Sequence, residues 1–274
     1  MQRDLSIALV QMNSTPDVEA NLRAIERAIA SAAHAGARLV LLPENAPFLG
    51  SAEQRVATSE PLDGPQVHRV REAAVRHGVW VQLGSFAERS EDPERTWNTS
   101  VLVDPAGEVR ATYRKIHLFD VNVAADTAFK ESDTTLAGPV VPCLVDVEGW
   151  SLGMSICYDL RFPELYRSLS AAGVDLITVP AAFTWRTGAA GHWEVLLRAR
   201  AIENQCWVAA PAQCGTCIPG RTSWGHSVVV DPWGRVRMCA GEDPVVEVVR
   251  LSAKELRAAR QKIPALTHRR AGWV

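Results

Sequence analysis

WNTSVLVDPAGEVRA (residues 97–111) and WGHSVVVDPWGRVRM (residues 224–238) lie 127 residues apart and agree at nine of fifteen positions. Each reads as a hairpin: a valine-rich strand, an Asp-Pro-x-Gly turn of type I composition, and a second strand. Turn residues alone make such hairpins look alike. The shared tryptophan and the same order of elements upstream of each copy favour an internal duplication.

Upstream of the first copy come a strand at 6–11, a helix at 18–35 after Asp17, a strand at 37–42 stopped by Pro43, a helix at 64–77 and a strand at 79–86. Upstream of the second come a strand at 151–156, a helix at 163–172 with proline in its first turn, a strand at 175–179 stopped by Pro180, a helix at 192–204 and a strand at 207–212. A strand at 245–250 and a helix at 253–262 follow. The strands are apolar almost throughout, so both of their faces must be covered. The expected fold is therefore α/β: a four-layer α-β-β-α sandwich with an internal pseudo-twofold. No Pro/Gly-rich linker separates the halves, and one domain is expected over residues 1–274.

The 274 residues are 47% hydrophobic and 22% charged, enough to bury a core without disulfides or structural metal. With 29 basic and 31 acidic residues the chain lacks the basic excess of a nucleic-acid binder. No apolar run approaches the roughly 20 residues that span a bilayer. The N-terminal run SIALV is shorter than a signal-peptide core. These features point to a cytoplasmic enzyme or binding protein that engages neither membrane nor nucleic acid. The six cysteines read as reduced thiols. No phosphate-binding glycine loop follows a strand.

In such sheets reactive residues gather at the carboxyl ends of strands. Three segments place an ionisable group there: Glu44 in RLVLLPENAPF, Lys115 in ATYRKIHLFD and Cys157 in GMSICYDLRFPELYR. A free thiol has a pKa near 8.5. A helix start and a nearby ammonium would favour the thiolate; alternatively, a carboxylate takes the thiol proton during attack. A cysteine ending an apolar strand also reads as a small buried hydrophobe.

These three motifs, in this order over essentially the whole chain, resemble the signatures of the nitrilase, or carbon–nitrogen hydrolase, superfamily. The resemblance implies a homodimer or larger homo-oligomer, a small-molecule amide substrate, water as co-substrate and no cofactor or metal. It implies a triad in which Cys157 attacks the amide carbonyl, Glu44 moves the proton and Lys115 stabilises the oxyanion together with the Tyr158 N–H. A second glutamate, Glu131 in FKESDTTLAGP, would position the lysine. YRKIHLFDV and HWEVLLRARAIENQ resemble the Nit branch, whose activities are amide hydrolysis of deaminated glutathione and of 2-oxoglutaramate; the QCG ending is closest to the former. Arg161 matches the arginine that holds a substrate carboxylate, with a helix-start ion pair to Glu164 as its alternative. Phe183 and Thr184 match the opposite wall. TWRTGAAG (residues 184–191) reads as one residue longer than usual and brings Trp185 and Arg186 near the pocket. Cys214 and Cys217 read as two unpaired thiols in a loop, and His117 as a neighbour that orients the lysine loop. The tail, residues 263–274, is a candidate dimer contact.

Overall fold

Leu5, Ile7 and Leu9 point one way along the first strand, β1 (Leu5–Gln11), while Ala8 and Val10 point the other, as a pleated backbone requires. Both sets are buried, so β1 is covered on both faces. The computed structural model, which describes residues 2–122 and 128–270, shows what covers them. In the first half, β1 leads through α1 (Val18–His34), β2 (Leu39–Leu41), α2 (Ala52–Ala57) and α3 (Pro65–His77) to β3 (Trp80–Arg89), β4 (Thr96–Val103) and β5 (Val109–Arg114). The second half runs through β6 (Cys143–Val147), β7 (Trp150–Met154), α4 (Pro163–Ala171), β8 (Leu176–Thr178), α5 (Trp185–Ala189) and α6 (His192–Asn204). It ends with β9 (Trp207–Ala210), β10 (Val228–Val230) and β11 (Val236–Cys239). Then come β12 (Val245–Leu251) and α7 (Ala253–Lys262).

One sheet has the order β12-β1-β2-β3-β4-β5, with Thr135–Leu136 added beside β4; the other has the order β6-β7-β8-β9-β10-β11. In each, the second, third and fourth strands of the row are parallel and the outer pairings antiparallel. The registers also repeat. Val81 faces Val103, and 127 residues later Val208 faces Val230. Leu41 pairs with Leu9 and Gln82, just as Thr178 pairs with Met154 and Ala209, so Pro43 and Pro180 occupy equivalent places. The duplication read from the two hairpins is thus present in the strand order itself.

The alternation of β1 extends across its sheet. Ile7, Leu9, Leu39, Leu41 and Leu102 pack with Leu152, Met154 and Leu176 of the second sheet, forming the middle of the sandwich. Ala8, Val10, Val40, Val81 and Val101 pack instead against Leu22, Ile25 and Ile29 of α1 and Val67 and Val70 of α3. Leu165, Tyr166 and Leu169 of α4 and Trp193 and Leu197 of α6 cover the second sheet. Asp17 caps α1 by accepting from the Ala20 N–H at 2.9 Å, and Pro163 opens α4. Among the described residues no helix is long and apolar enough to cross a membrane.

Several segments depart from the expected pattern. The helix α2 has six residues and buries none of them, so no apolar stripe announces it; a Ser51–Gln54 capping box holds it. Cys214 and Cys217 lie not in a loop but on a strand, Cys214–Ile218, paired with Arg221–Trp224 around Pro219-Gly220. The hairpin is short and separate from both main sheets, so its strands lack the apolar run that marks the others. Both thiols are free. In the tail, Ala265–His268 forms a short 3-10 turn, and residues 271–274 lie outside the described residues.

Gly84 interrupts the β3–β4 register and lets the two sheets' loops meet. A Cβ there would fall 1.9 Å from the Leu42 carbonyl oxygen and 2.6 Å from Pro180 Cβ. Gly84→Ala is therefore expected to destabilise the protein by about 3 kcal/mol in urea denaturation, at the upper end of ordinary overpacking.

Candidate active site

Glu44 leaves β2 immediately after Pro43, and its backbone is pinned on both sides. Gln213 donates to the Glu44 carbonyl at 3.0 Å, and the next N–H, that of Asn45, donates to Ser85 Oγ at 2.9 Å. Asn45 takes a left-handed φ of 57° to make this turn. The carboxylate is buried: Oε1 accepts from Asn98 Nδ2 and Lys115 Nζ, each at 3.0 Å, and Oε2 from the Ala182 N–H at 2.8 Å.

Lys115 follows the last residue of β5, and its N–H donates to the Asn98 carbonyl at 2.9 Å. The side chain is 2% exposed. Its ammonium also donates to Glu131 Oε2 at 2.8 Å, an oxygen that accepts the Phe119 N–H at 2.7 Å as well. Burial opposes the lysine's charge, but Glu131 and Glu44 outweigh it and hold the pKa above the ordinary lysine value. Burial likewise opposes the charge of Glu131, yet Lys115 and Arg55 keep its carboxyl below the usual range.

Cys157 opens a 3-10 turn, Cys157–Arg161, that runs into α4, and its φ of 46° is rare for a residue with a side chain. Its N–H donates to the Pro180 carbonyl at 2.9 Å. Asp159 ties this turn to the lysine segment. Its carboxylate accepts the Ile156 N–H at 2.9 Å, Tyr113 Oη–H at 2.7 Å and the His117 N–H at 3.0 Å. The His117 ring stacks on Phe162 with centroids 3.6 Å apart.

The thiolate expectation needs correction. Burial and the adjacent Glu44 carboxylate push the Cys157 thiol well above its ordinary pKa, and the Lys115 charge only partly offsets them. That direction favours the alternative of proton removal by a carboxylate during attack. A high thiol pKa does not itself mark this cysteine: burial also pushes Cys206 up to about 12 and Cys214 up to about 11. What distinguishes Cys157 is a carboxylate and an ammonium at one point.

An open-mouthed cavity leads to the thiol. Tyr158, Arg161, Phe183 and Thr184 line it together with Glu44, Lys115, Glu131 and Cys157. Arg161 makes no ion pair to Glu164 among the described residues; it contacts His192 Nδ1 at 3.3 Å and lies over the Phe183 ring. Trp185 and Arg186 begin α5 outside the lining, and Thr187 takes the wall position instead. Sequence reading missed Asn98, which bridges Glu44 and Glu131 (3.0 and 3.2 Å), and the lining arginines Arg55 and Arg221. Asn98 lies inside the duplicated hairpin, where the copies differ (Trp97-Asn98 against Trp224-Gly225), and that divergence was its only signal. Among the described residues no cluster of three or more His, Cys, Asp or Glu is placed to hold a metal ion.

Residues 6–261 match the carbon–nitrogen hydrolase family. The bovine (Bos taurus) deaminated glutathione amidase is 42% identical over 268 residues, covering 96% of this chain and 81% of that one. The C. elegans NitFhit crystal structure superimposes with a TM-score of 0.91 at 38% identity, over 98% of this chain and 66% of that longer one. An amidase from Nesterenkonia, crystallised with acrylamide added to its active-site cysteine, gives 0.80 at 30% identity over 96% and 99% of the two chains. Family match, relatives and fold agree over nearly the whole length: the chain belongs to the carbon–nitrogen hydrolase family and is an amidase within it.

Proposed function

We propose that this amidase cleaves the amide bond of a small 2-oxo-acid amide of the deaminated-glutathione type, through a thioester on Cys157. The observation that carries the reading is the lysine held between Glu44 and Glu131 beside a buried thiol. As Sγ attacks the amide carbon, Glu44 accepts its proton. The carbonyl oxygen becomes an oxyanion facing Lys115 and the Tyr158 N–H. The C–N bond breaks as Glu44 returns the proton to the departing nitrogen, leaving a thioester. Water then gives Glu44 a proton and attacks the thioester carbon; the C–S bond breaks, sulfur takes the proton back, and the acid leaves. Glu131 holds Lys115 in place and does not exchange protons.

The 2-oxo-acid carboxylate would lie on Arg161, whose planar fork suits a carboxylate. Phe183 and Thr184 form the opposite wall. The identity to deaminated glutathione amidases supports this substrate; 2-oxoglutaramate, which also carries the 2-oxo-acid end, is the second reading. In this proposal residues 1–274 act as one carbon–nitrogen hydrolase domain, in a cytoplasmic homodimer. Exposed Val195 and Ile202, seven residues apart on one face of α6, support a self-association surface.

Cys157→Ala is expected to abolish release of amine from deaminated glutathione while leaving the thermal transition in place; an active variant overturns the thioester. Lys115→Arg should lower kcat at least about 100-fold, because a guanidinium cannot occupy the ammonium's place between two carboxylates. Because the thiol pKa is raised, the thiolate forms only at high pH. The rate of Cys157 modification by methyl methanethiosulfonate should therefore keep rising beyond pH 9.5, where an ordinary cysteine has levelled off. A plateau near pH 8.5 would contradict this.

A further inference from the structure

The charge lining the cavity is lopsided. Five cationic residues (Arg55, Lys115, Lys130, Arg161 and Arg221) and two anionic ones, Glu44 and Glu131, are among the described lining residues. Both carboxylates are already engaged by Lys115 and Asn98. Neither Arg161 nor Arg221 makes an ion pair among the described residues.

These two arginines stand at opposite ends of a row of rings. Tyr158 meets Phe119 edge-on with centroids 5.0 Å apart, and Phe119 lies 5.9 Å from Phe129. The Arg161 guanidinium is 5.9 Å from the Tyr158 ring, and that of Arg221 is 5.2 Å from the Phe129 ring. The Tyr158 end adjoins the thiol in sequence and in space. The other end of the row is Phe129, on the strand Ala128–Lys130, and over it lies Arg221 of the hairpin Cys214–Ile218/Arg221–Trp224, whose Nη1 donates to the Gly50 carbonyl at 3.2 Å.

Arg55 lines the same cavity as Arg221, close enough to feel its charge. Its Nη1 donates to Asn45 Oδ1 at 2.8 Å, while Nη2 is buried with no hydrogen-bond partner. Burial opposes the Arg55 charge; Glu131 and Glu44 offset part of that cost, and the charge of Arg221 adds to it. Two neighbouring cations, one with an unpaired buried donor, make a stable arrangement when an anion sits against them.

We infer that Arg221, backed by Arg55, forms a second anion site that reads a carboxylate on the departing amine. This rests on the substrate reading above, in which Arg161 takes the 2-oxo-acid end. The acyl part then lies between Arg161 and Cys157, and the leaving group runs along the ring row toward Phe129. Arg221 thus selects amides whose leaving amine ends in a carboxylate, such as a dipeptide, over those that release ammonia. It is a specificity residue and takes no part in bond making.

The test compares kcat/KM for deaminated glutathione, for the same compound with its C-terminal carboxylate converted to an amide, and for 2-oxoglutaramate. The wild type is expected to prefer the acid to its amide by on the order of tenfold, mainly through KM, since the contact is the same before and during reaction. Arg221→Gln should bring that ratio near one, with a smaller loss on 2-oxoglutaramate, and Arg221→Lys should fall between. A wild-type ratio near one overturns the inference without any variant, so it stays decidable if the variants fail to fold. An equal loss by Arg221→Gln on all three compounds also overturns it. A wild type inactive on all three overturns the substrate reading itself, and the inference with it.

Discussion

The arrangement of the site depends on one buried cation. A lone ammonium in the interior would be costly, and removing one partner of a buried pair commonly costs about 3–5 kcal/mol. Lys115 therefore requires both Glu44 and Glu131 close by, and the chain must bring three distant segments to one point. The end of β2 carries Glu44, the end of β5 carries Lys115, and a short turn carries Glu131. Asn98 donates to both carboxylates and fixes their spacing. Burial and the Glu44 carboxylate push the pKa of the neighbouring thiol up, and the Lys115 charge only partly offsets them.

The duplicated halves contribute unequally. By the strand registers, Ala181 stands in the second half where Glu44 stands in the first, since each follows the equivalent prolines Pro180 and Pro43. Met12 stands likewise where Cys157 does, three residues beyond the matched Leu9 and Met154. The second half thus offers the nucleophile without a base of its own, and the first a base without a nucleophile. The repeat supplies the frame, and departures from it supply the chemistry.

That division explains what could be read from the chain alone. Nearly continuous apolar strands, prolines ending strands and the repeated hairpins are local signals, and they led to the sandwich and its duplication. Glu44, Lys115 and Cys157 stood at strand ends where such sheets collect reactive groups. Asn98, Arg55 and Arg221 gave no such signal. Asn98 looks like any polar residue in a strand, Arg55 sits on a helix that buries nothing, and Arg221 follows a Pro-Gly turn in a hairpin outside the main sheets. Their importance arises from distances across the fold, such as the 54 residues between Asn98 and Glu44. The protonation of Cys157 was unreadable for the same reason, since burial is a property of the assembled core.

The pairing of β12 with β1 has a consequence for how the chain is made. Seven residues of each strand pair, Leu5 with Leu251 through Gln11 with Val245. The sheet whose strands leave the ribosome first is therefore the last to be closed. Throughout synthesis of the second half, β1 presents a row of unpaired backbone groups on one edge, an aggregation hazard in any nascent chain. The second sheet, contiguous from β6 to β11, can complete its pairing before then. The last strand of the chain thus covers an edge that the first strand leaves open.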